Sequence, residues 1–160
     1  MFETKNDLGQ TTREKSIELL NARLADSIDL QTQVKHAHWN VKGPNFIALH
    51  KLFDEVNGAV EEYVDEIAER AVQLGGVVQG TARSVAQRST LSEYPASAVS
   101  GSEHVAALSS ALAAFGKVAR KGIDQATEFG DLDTADLFTQ VSRDVDKWLW
   151  FVEAHGQAKS

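Results

Sequence analysis

Apolar residues recur at helical spacing in four separate segments of the chain. In the clearest segment, steps of four and three residues alternate, which keeps the apolar side chains on one face of a helix. That stripe consists of Leu49, Phe53, Val56, Val60, Tyr63 and Ile67. The other three stripes are Ile17, Leu20, Leu24 and Ile28; Val105, Leu108, Leu112, Phe115 and Val118; and Leu137, Val141, Val145, Trp148 and Val152. No strand-type alternation persists, so the pattern predicts an all-α chain with four long helices.

Capping and turn residues predict where these helices begin and end. Residues 11–14 form a capping-box pattern at the start of the first helix, and Asn45 is the expected cap of the second. The second helix ends at the glycine pair 75–76, and the third begins near Ser102. The fourth helix begins at an acidic cluster, where Asp133 is the simplest candidate for the cap.

A long stretch rich in Ser, Thr and Gly separates the second helix from the third. It covers about residues 76–101 and leaves room for a short helix over residues 81–88. Two helical hairpins joined by such a crossover make a four-helix bundle of the ferritin type. The length suits one hydrophobic core, so we expect a single domain over residues 1–160 with short flexible tails at about 1–10 and 156–160.

Composition restricts the chemistry that the chain can carry. It contains no cysteine, so a bound metal must be held by imidazole and carboxylate groups rather than by thiolates. The formal net charge of -7 speaks against a general polyanion binder and suits a protein that gathers cations. The N-terminus has no apolar run of the kind found in signal peptides, and no segment approaches the roughly 18 apolar residues of a membrane span. We therefore expect a cytoplasmic protein.

Four potential metal ligands share one face of the second predicted helix. With His50 as the origin and about 100° per residue, Asp54 and Asp65 fall at about 40° and about 60°. Glu69 falls at about 100°, whereas the apolar stripe centres at about -100°. The ligand face therefore points away from the core of the subunit to which it belongs.

These ligands are too far apart to hold one metal within one helix. Asp54 and Asp65 are separated by about 16 Å along the helix axis. Two copies of the helix, crossing antiparallel about a two-fold axis, would bring residues 50 and 54 of one copy opposite 69 and 65 of the other. The midpoint lies beside Gly58, where a small residue lets helices approach, and two-fold contacts are the commonest protein symmetry. The spacing thus indicates paired metal sites at a dimer interface.

Two alternatives to shared metal sites need to be weighed. Acidic residues opposite the core are usually just solvated, and a surface histidine is unremarkable, so the spacing alone leaves a solvated face open. A di-iron site inside the bundle would need Glu-x-x-His motifs that project inward. None of the five histidines has a glutamate three residues before it. The sequence therefore does not predict the usual metal centre within one subunit.

The end of the first predicted helix carries a family signature. Residues 35–43 read Lys-His-Ala-His-Trp-Asn-Val-Lys-Gly, which resembles the His-Trp-Asn-x-x-Gly signature of the Dps family. The ligand spacing His-x11-His-x3-Asp-x10-Asp-x3-Glu of that family is met without a gap. Residues 133–136 and 142–151 are similar to the last helix of the family, so the resemblance covers about residues 12–155.

The resemblance implies a ferroxidase site that two subunits share. The implied iron ligands are His38, His50 and Asp54 of one subunit with Asp65 and Glu69 of its two-fold mate. The resemblance also implies a hollow dodecamer that oxidises Fe(II) to Fe(III), preferentially with hydrogen peroxide, stores the ferric mineral and protects against oxidative stress. Trp39 adjoins the first ligand, where it either accepts an oxidising equivalent or packs an interface. His36, two residues from His38, falls on a different helix face and is expected at the surface.

Three aspartates cluster around the start of the fourth predicted helix. In one interpretation Asp131, Asp133 and Asp136 cap the helix and interact favourably with its dipole. In the other, which the resemblance implies, they lie near a three-fold pore through which Fe(II) enters the shell. Both interpretations stay open from the sequence.

DNA compaction is an alternative function from another class. In this alternative the protein is a nucleoid protein of stationary phase, and iron oxidation is secondary. Relatives that compact DNA use a mobile tail rich in lysine, whereas Lys5 is the only cation ahead of the first predicted helix and Lys159 the only lysine after the last. We therefore expect DNA binding to be weak or absent.

Overall fold

The computed structural model describes residues 1–157 and contains five helices. They are α1 (Gln10–Asn40), α2 (Phe46–Gln73), α3 (Ala82–Arg88), α4 (Gly101–Phe129) and α5 (Leu132–Gln157). The described residues form no β-strand, so the all-α prediction is confirmed, and α3 is the short helix expected in the crossover. Within this part of the chain, no helix combines the length and apolar content that crossing a membrane requires.

The four long helices pair as two hairpins. α1 packs mainly against α2 and α4 mainly against α5, while contacts between α1 and α4 join the two pairs. Every residue of the predicted α2 stripe is buried, so this face of α2 supplies core as predicted. In α5, Phe138 is fully buried, whereas Leu137 and Trp148 lie partly buried at the edge of the core. The observed packing is the four-helix bundle with a long crossover that the pattern indicates.

The capping box predicted for α1 is wrong. The helix begins at Gln10 with Gly9 in the capping position, and no side chain caps it. Thr12 donates instead to the backbone carbonyl of Phe129 at 2.9 Å, while Glu14 accepts from the side-chain amide of Gln10 at 2.8 Å. The polar residues at this end therefore connect α1 to the end of α4 rather than satisfying the first amides of α1.

The capping box that does form lies at the start of α4. The Ser100 hydroxyl accepts from the backbone amide of Glu103 at 3.3 Å, and the Glu103 carboxylate accepts from the amide of Ser100 at 2.8 Å. Hydrogen bonds from the amides of Ser100 and Val99 lower the pKa of the Glu103 carboxyl to about 2. At α2, Asn45 occupies the capping position as predicted, but its side chain makes no capping hydrogen bond.

A row of polar side chains holds the crossover against α1. Asp26 is completely buried, and its carboxylate accepts from the amide and hydroxyl of Thr90 at 2.7 and 3.0 Å. The same carboxylate pairs with Arg23 at 2.9 Å. Further along, Gln33 donates to the carbonyl of Ser92 at 3.0 Å. Because α1 buries this polar face beneath the crossover, its apolar stripe is less regular than that of α2.

The segment before α1 lies against the bundle. The amide of Phe2 donates to the carbonyl of Gly75 at 2.7 Å, and Leu8 packs against the core. Gly75 has a φ of +87°, and a Cβ at this position would come within 2.6 Å of the Phe2 carbonyl oxygen. At the other end α5 extends to Gln157, while Lys159 and the last part of the expected C-terminal tail lie outside the described residues. The flexibility of both tails stays a prediction.

Candidate metal centre

His38 and His50 stand face to face at one end of the bundle. His38 lies in the last turn of α1, His50 lies near the start of α2, and the turn between the helices contains Gly43 with a φ of +113°. The amide of Lys42 donates to the carbonyl of Val99 at 3.2 Å, which anchors this turn to the end of the crossover. The two imidazole rings stack with centroids 3.8 Å apart and planes inclined at 21°. The turn thus fixes two potential metal ligands side by side.

The two histidines also fix each other's ring orientation. Nδ1 of His38 lies 2.7 Å from the backbone oxygen of His50, and Nδ1 of His50 lies 2.9 Å from the backbone oxygen of His38. Because a carbonyl oxygen can only accept a hydrogen bond, each Nδ1 carries the proton and donates. Each Nε2 then keeps its lone pair, as metal-binding histidines do when the other ring nitrogen is held by a carbonyl.

Asp54 is the third predicted ligand at this end, and a lysine is bound to it. Oδ1 of Asp54 lies 3.9 Å from Nε2 of His38 and accepts from the ammonium of Lys35 at 2.5 Å. The hydrogen bond from Lys35 lowers the pKa of Asp54, so this carboxyl is ionised at neutral pH. The apolar and ligand patterns of the sequence assign no role to Lys35, although a cation three residues before His38 shares its helix face and is a usable signal.

Asp65 and Glu69 lie in the other half of α2. Both side chains are exposed, and neither takes part in an ion pair within the described part of the chain. Among residues 1–157, no three His, Asp or Glu side chains are close enough together to hold a metal ion. The structure therefore places His38, His50 and Asp54 at one end of α2 and Asp65 and Glu69 in its other half, and neither group is a complete site within residues 1–157.

The face of α2 between the two ligand sets is open. Gly58 is exposed, and a Cβ at this position would have no contact within 4 Å in the described chain. Beside it runs a groove of about 620 Å³ that reaches Asp65. Next to the histidines, three large apolar side chains are exposed, Trp39 by 69%, Ile47 by 58% and Phe46 by 39%. Exposed apolar side chains beside an open helix face are typical of a surface that another molecule covers.

The acidic cluster at the start of α5 consists of one buried and two exposed carboxylates. Asp131 is only 1% exposed, and it accepts from Arg70 at 2.8 Å and from the amide and hydroxyl of Thr134 at 3.1 and 2.6 Å. Burial raises the pKa of Asp131, but the hydrogen bonds from Thr134 and Arg70 outweigh burial and leave that pKa lowered. Asp131 rather than Asp133 therefore caps α5. Only Asp133 and Asp136 are exposed enough to remain pore candidates.

His36 is partly buried rather than a free surface residue. Its ring contacts Tyr94 of the crossover edge-on, with centroids 5.1 Å apart. The physical reason is that the crossover folds back over the end of α1, which the helix pattern alone does not reveal. Trp39, three residues further on, is 69% exposed, so the described residues leave most of its side chain uncovered.

Comparison with known proteins shows the family of this fold and site. Residues 17–158 match the family described as Ferritin-like domain. The chain is 45% identical over 157 residues to the DNA protection during starvation protein of Agrobacterium fabrum, a match that covers 98% of this chain and 97% of that protein. Among solved structures, DpsC from Streptomyces coelicolor has a TM-score of 0.93 at 31% identity, and the match covers 100% of this chain and 92% of the DpsC chain. The tetragonal form of Mycobacterium smegmatis Dps has a TM-score of 0.90 at 33% identity, over 96% of this chain and 93% of that one. Because sequence and fold both match over nearly the whole length, this chain belongs to the Dps family of ferritin-like proteins.

Proposed function

We propose that this protein is a ferroxidase and iron store whose oxidation sites form between two subunits. One observation carries the proposal: His38 and His50 direct their Nδ1 protons to each other's backbone oxygens, which leaves both Nε2 atoms free to bind a metal, and Nε2 of His38 lies 3.9 Å from Asp54. The remaining carboxylates stand on the same face of α2, too distant to complete the site within one chain. A two-fold contact between α2 helices would supply them as Asp65 and Glu69 of the partner subunit.

The donor set suits Fe(II) as a substrate. Imidazole and carboxylate bind ferrous iron and leave coordination positions for an oxidant, and the chain has no thiolate that would compete as a reductant. With hydrogen peroxide, two ferrous ions give one electron each, the O–O bond breaks, and two protons complete the water products. Where both electrons are delivered together, no free hydroxyl radical is released, whereas a single Fe(II) that reacts alone with peroxide produces one. We take peroxide as the preferred oxidant on the strength of the family resemblance.

The proposed assembly is a hollow dodecamer in which ferric mineral collects. Several features support an assembly of copies: the uncovered face around Gly58, the exposed Trp39 and Ile47 beside the histidines, and the incomplete ligand sets. Exposed carboxylates at Asp133 and Asp136 are candidates for guiding Fe(II) into the shell. Trp39, next to His38, is positioned to touch either the partner subunit or the oxidising site.

The shared site predicts a specific pattern of complementation. Subunits carrying His50→Ala and subunits carrying Glu69→Ala should each form shells without ferroxidase activity, because every site is damaged. At an interface between the two kinds of subunit, one site has both changes and the other has none. Shells co-assembled from a mixture should therefore regain part of the wild-type rate of Fe(II) oxidation, measured by ferric absorbance after peroxide addition.

The matched control is a mixture of His50→Ala and Asp54→Ala subunits. Both ligands belong to the same set, so every mixed interface still has two damaged sites and no activity should return. Recovery in this control, or no recovery in verified His50→Ala and Glu69→Ala mixed shells, would contradict the two-fold partition of ligands. Folding should barely change, since these side chains lie off the core and surface substitutions alter stability by about 0.5 kcal/mol or less.

The name of the Agrobacterium relative favours a second candidate function, protection of DNA. Protection can arise in two ways, by direct binding to DNA or by removing the ferrous iron and peroxide that together damage it. The charge of this chain favours the second way, because a net charge of -7 per subunit repels phosphate. We therefore propose that any protection of DNA is an outcome of the iron chemistry.

A further inference from the structure

Tyr94 and His104 form a hydrogen-bonded pair beneath the crossover. Tyr94 precedes Pro95 in the crossover, and His104 lies in the first turn of α4. The Tyr94 Oη and the His104 Nδ1 are 2.6 Å apart, and the two rings are close to parallel, with centroids 5.9 Å apart. His104 is completely buried, and its Nε2 makes no hydrogen bond within residues 1–157. Neither residue belongs to a motif or a ligand spacing that the sequence predicts.

The protonation states of the pair follow from its surroundings. Burial lowers the pKa of His104, and the neighbouring His36 lowers it further, so the imidazole is neutral at pH 7. Burial also raises the pKa of Tyr94, so the phenol keeps its proton. A neutral imidazole can accept through only one ring nitrogen, and the phenol is the donor that faces Nδ1. The pair is therefore a protonated phenol bonded to an unprotonated base.

Such a pair is suited to lose an electron and a proton together. A phenol that loses an electron becomes a strong acid, so oxidation at neutral pH is easiest where a base already accepts its hydrogen bond. The separation of 2.6 Å is at the short end of the range for direct proton transfer. The carboxylate of Glu103, adjacent to His104 in the chain, favours the protonated imidazole that results. Hence the proton need not leave the protein when Tyr94 is oxidised.

The pair also contacts the end of α1 through His36. Tyr94, His36 and Trp39 line the same cavity of about 1020 Å³. His36 contacts Tyr94 edge-on and is three residues before Trp39, on the same side of α1. Trp39 in turn follows His38 directly. A series of aromatic rings thus leads from the candidate metal centre to the buried pair.

We propose that Tyr94 and His104 are a proton-coupled electron donor that quenches one-electron oxidants formed where Fe(II) meets peroxide. The inference rests on the proposed function for the source of the oxidant. Tyr94 gives one electron to the oxidant, either a hydroxyl radical, which becomes hydroxide, or the oxidised indole of Trp39, which is restored. The phenolic proton moves from Oη to Nδ1, leaving a tyrosyl radical and an imidazolium. A further Fe(II) returns the electron, and His104 returns the proton.

The chain contains only one other tyrosine, which provides the matched control. Tyr63 is buried in the core between α2 and α5, and its hydroxyl donates to the Asp144 carboxylate at 3.1 Å. Its acceptor is a carboxylate, a weaker base than imidazole, and the hydrogen bond is longer. Any tyrosyl radical in the protein must therefore come from one of two positions in different surroundings.

The test is electron paramagnetic resonance on the assembled protein. Shells loaded anaerobically with Fe(II) are mixed with hydrogen peroxide at a substoichiometric ratio and frozen within milliseconds to seconds. We expect a tyrosyl radical in the wild type, a loss of roughly fivefold or more in Tyr94→Phe, and an unchanged signal in Tyr63→Phe. An equal signal in Tyr94→Phe, or its loss in Tyr63→Phe, overturns the proposal.

The role of His104 needs a readout that packing alone would not change. In His104→Gln shells of verified size and helix content, we expect a lower radical yield and loss of the deuterium solvent isotope effect on radical formation. If the isotope effect persists in this variant, the proton does not go to His104 and the proposal fails.

A second source of oxidant separates this proposal from the ferroxidase proposal. A photo-oxidised ruthenium polypyridyl complex, with a sacrificial acceptor and no iron, removes single electrons from the same proteins. A radical at Tyr94 in this assay, together with no Fe(II) oxidation by the wild type, would contradict the ferroxidase proposal and support the proposed role of the Tyr94–His104 pair. Normal Fe(II) oxidation with no Tyr94 radical in either assay would sink the pair alone.

Discussion

At the scale of single residues, Lys35 binds the carboxylate of Asp54, one of the proposed metal ligands. Its ammonium is 2.5 Å from Oδ1, on the side of the carboxylate that faces His38. The lysine keeps the carboxylate ionised and ordered while no metal is bound. In the proposed site it would compete with the metal, because both cations would bind the carboxylate of Asp54. The proposed iron site is therefore one in which binding displaces a residue of the protein itself.

Replacing Lys35 with glutamine should strengthen metal binding. Co(II) is a suitable probe because it stays unoxidised in buffer without peroxide. We expect it to bind the variant about two- to fivefold more tightly, because the Lys35–Asp54 ion pair is half-exposed and therefore of modest strength. The difference should shrink as salt screens the pair. Isothermal titration at low and moderate ionic strength measures both effects. The control is Lys51→Gln, which makes the same charge change one residue after His50. An equal gain in metal affinity in both variants would contradict the displacement of Lys35 from Asp54.

The candidate site could be predicted from the sequence only in part. The shared face of His50, Asp54, Asp65 and Glu69 follows from helix geometry, because all four lie on one continuous helix. His38 lies on another helix, so its place in the set came from the family signature and not from spacing. The reciprocal hydrogen bonds of the two histidines depend on the path of the turn between the helices. No local pattern specifies such a contact between segments.

At the scale of helices, the interiors of α2, α4 and α5 were more predictable than their ends. Apolar periodicity reports burial of a whole face, and that signal adds over many residues. A cap, by contrast, depends on the path of the chain just before the helix. At residues 11–14 the pattern is present, but α1 begins ahead of it at Gln10, and Thr12 donates to the end of α4. At Ser100 the box forms because the crossover is anchored to Lys42 and delivers the chain in an extended conformation.

The capping box of α4 should make stability depend on acid. The pKa of Glu103 is lowered to about 2 in the folded protein. The stability that the ionised carboxylate contributes is therefore complete above the pKa of Glu103 in the unfolded state and is lost as pH falls from about 4.5 towards 2. Glu103→Gln should therefore lower Tm by about 2 °C at pH 7, and by progressively less below pH 4.5. Thermal unfolding followed by circular dichroism gives the comparison. Glu93→Gln, an exposed change in the crossover, should have no pH-dependent effect.

At the scale of the whole molecule, we expect the three aspartates at the start of α5 to have two different roles, Asp131 in stability and Asp133 with Asp136 in iron uptake. Asp133 and Asp136 are exposed, so converting both to asparagine should leave the shell intact and slow iron uptake roughly two- to tenfold at low salt. The effect should weaken at higher ionic strength, because screening reduces the attraction of cations. Stopped-flow measurement of ferric absorbance at several salt concentrations follows the uptake.

Two controls accompany the uptake measurement. Glu93→Gln combined with Asp124→Asn removes the same charge from other exposed positions and should leave uptake unchanged. Asp131→Asn should instead lower stability, because it weakens the buried pair with Arg70 and the cap of α5. Uptake that is equally slow in the first control would show that only the total charge matters and that Asp133 and Asp136 line no pore.

The charge of the assembled molecule predicts weak binding to DNA. Each subunit carries a net charge of -7, and duplex affinity comes largely from neutralised phosphates, with about 0.9 added to the salt slope per contact. We expect no stable complex with linear duplex at about 0.15 M salt and pH 7, measured by fluorescence anisotropy. A variant with Glu3→Lys and Asp7→Lys, both exposed ahead of α1, should gain binding and shows that the assay can detect it. Tight binding by the wild type would promote the DNA-compacting alternative.

A substitution at Gly58 would change which subunits can pair in the proposed assembly without disturbing the fold of each subunit. Within residues 1–157 a Cβ at this position has no contact within 4 Å, and glycine in the middle of a helix forgoes about 0.5–1 kcal/mol relative to alanine. A lone subunit would thus be more stable with a larger residue, and the glycine is favoured only where another helix crosses it. Paralogous chains in one cell could therefore become incompatible as partners through a single substitution here. Each paralogue would still fold normally, and each would assemble into shells only with identical subunits.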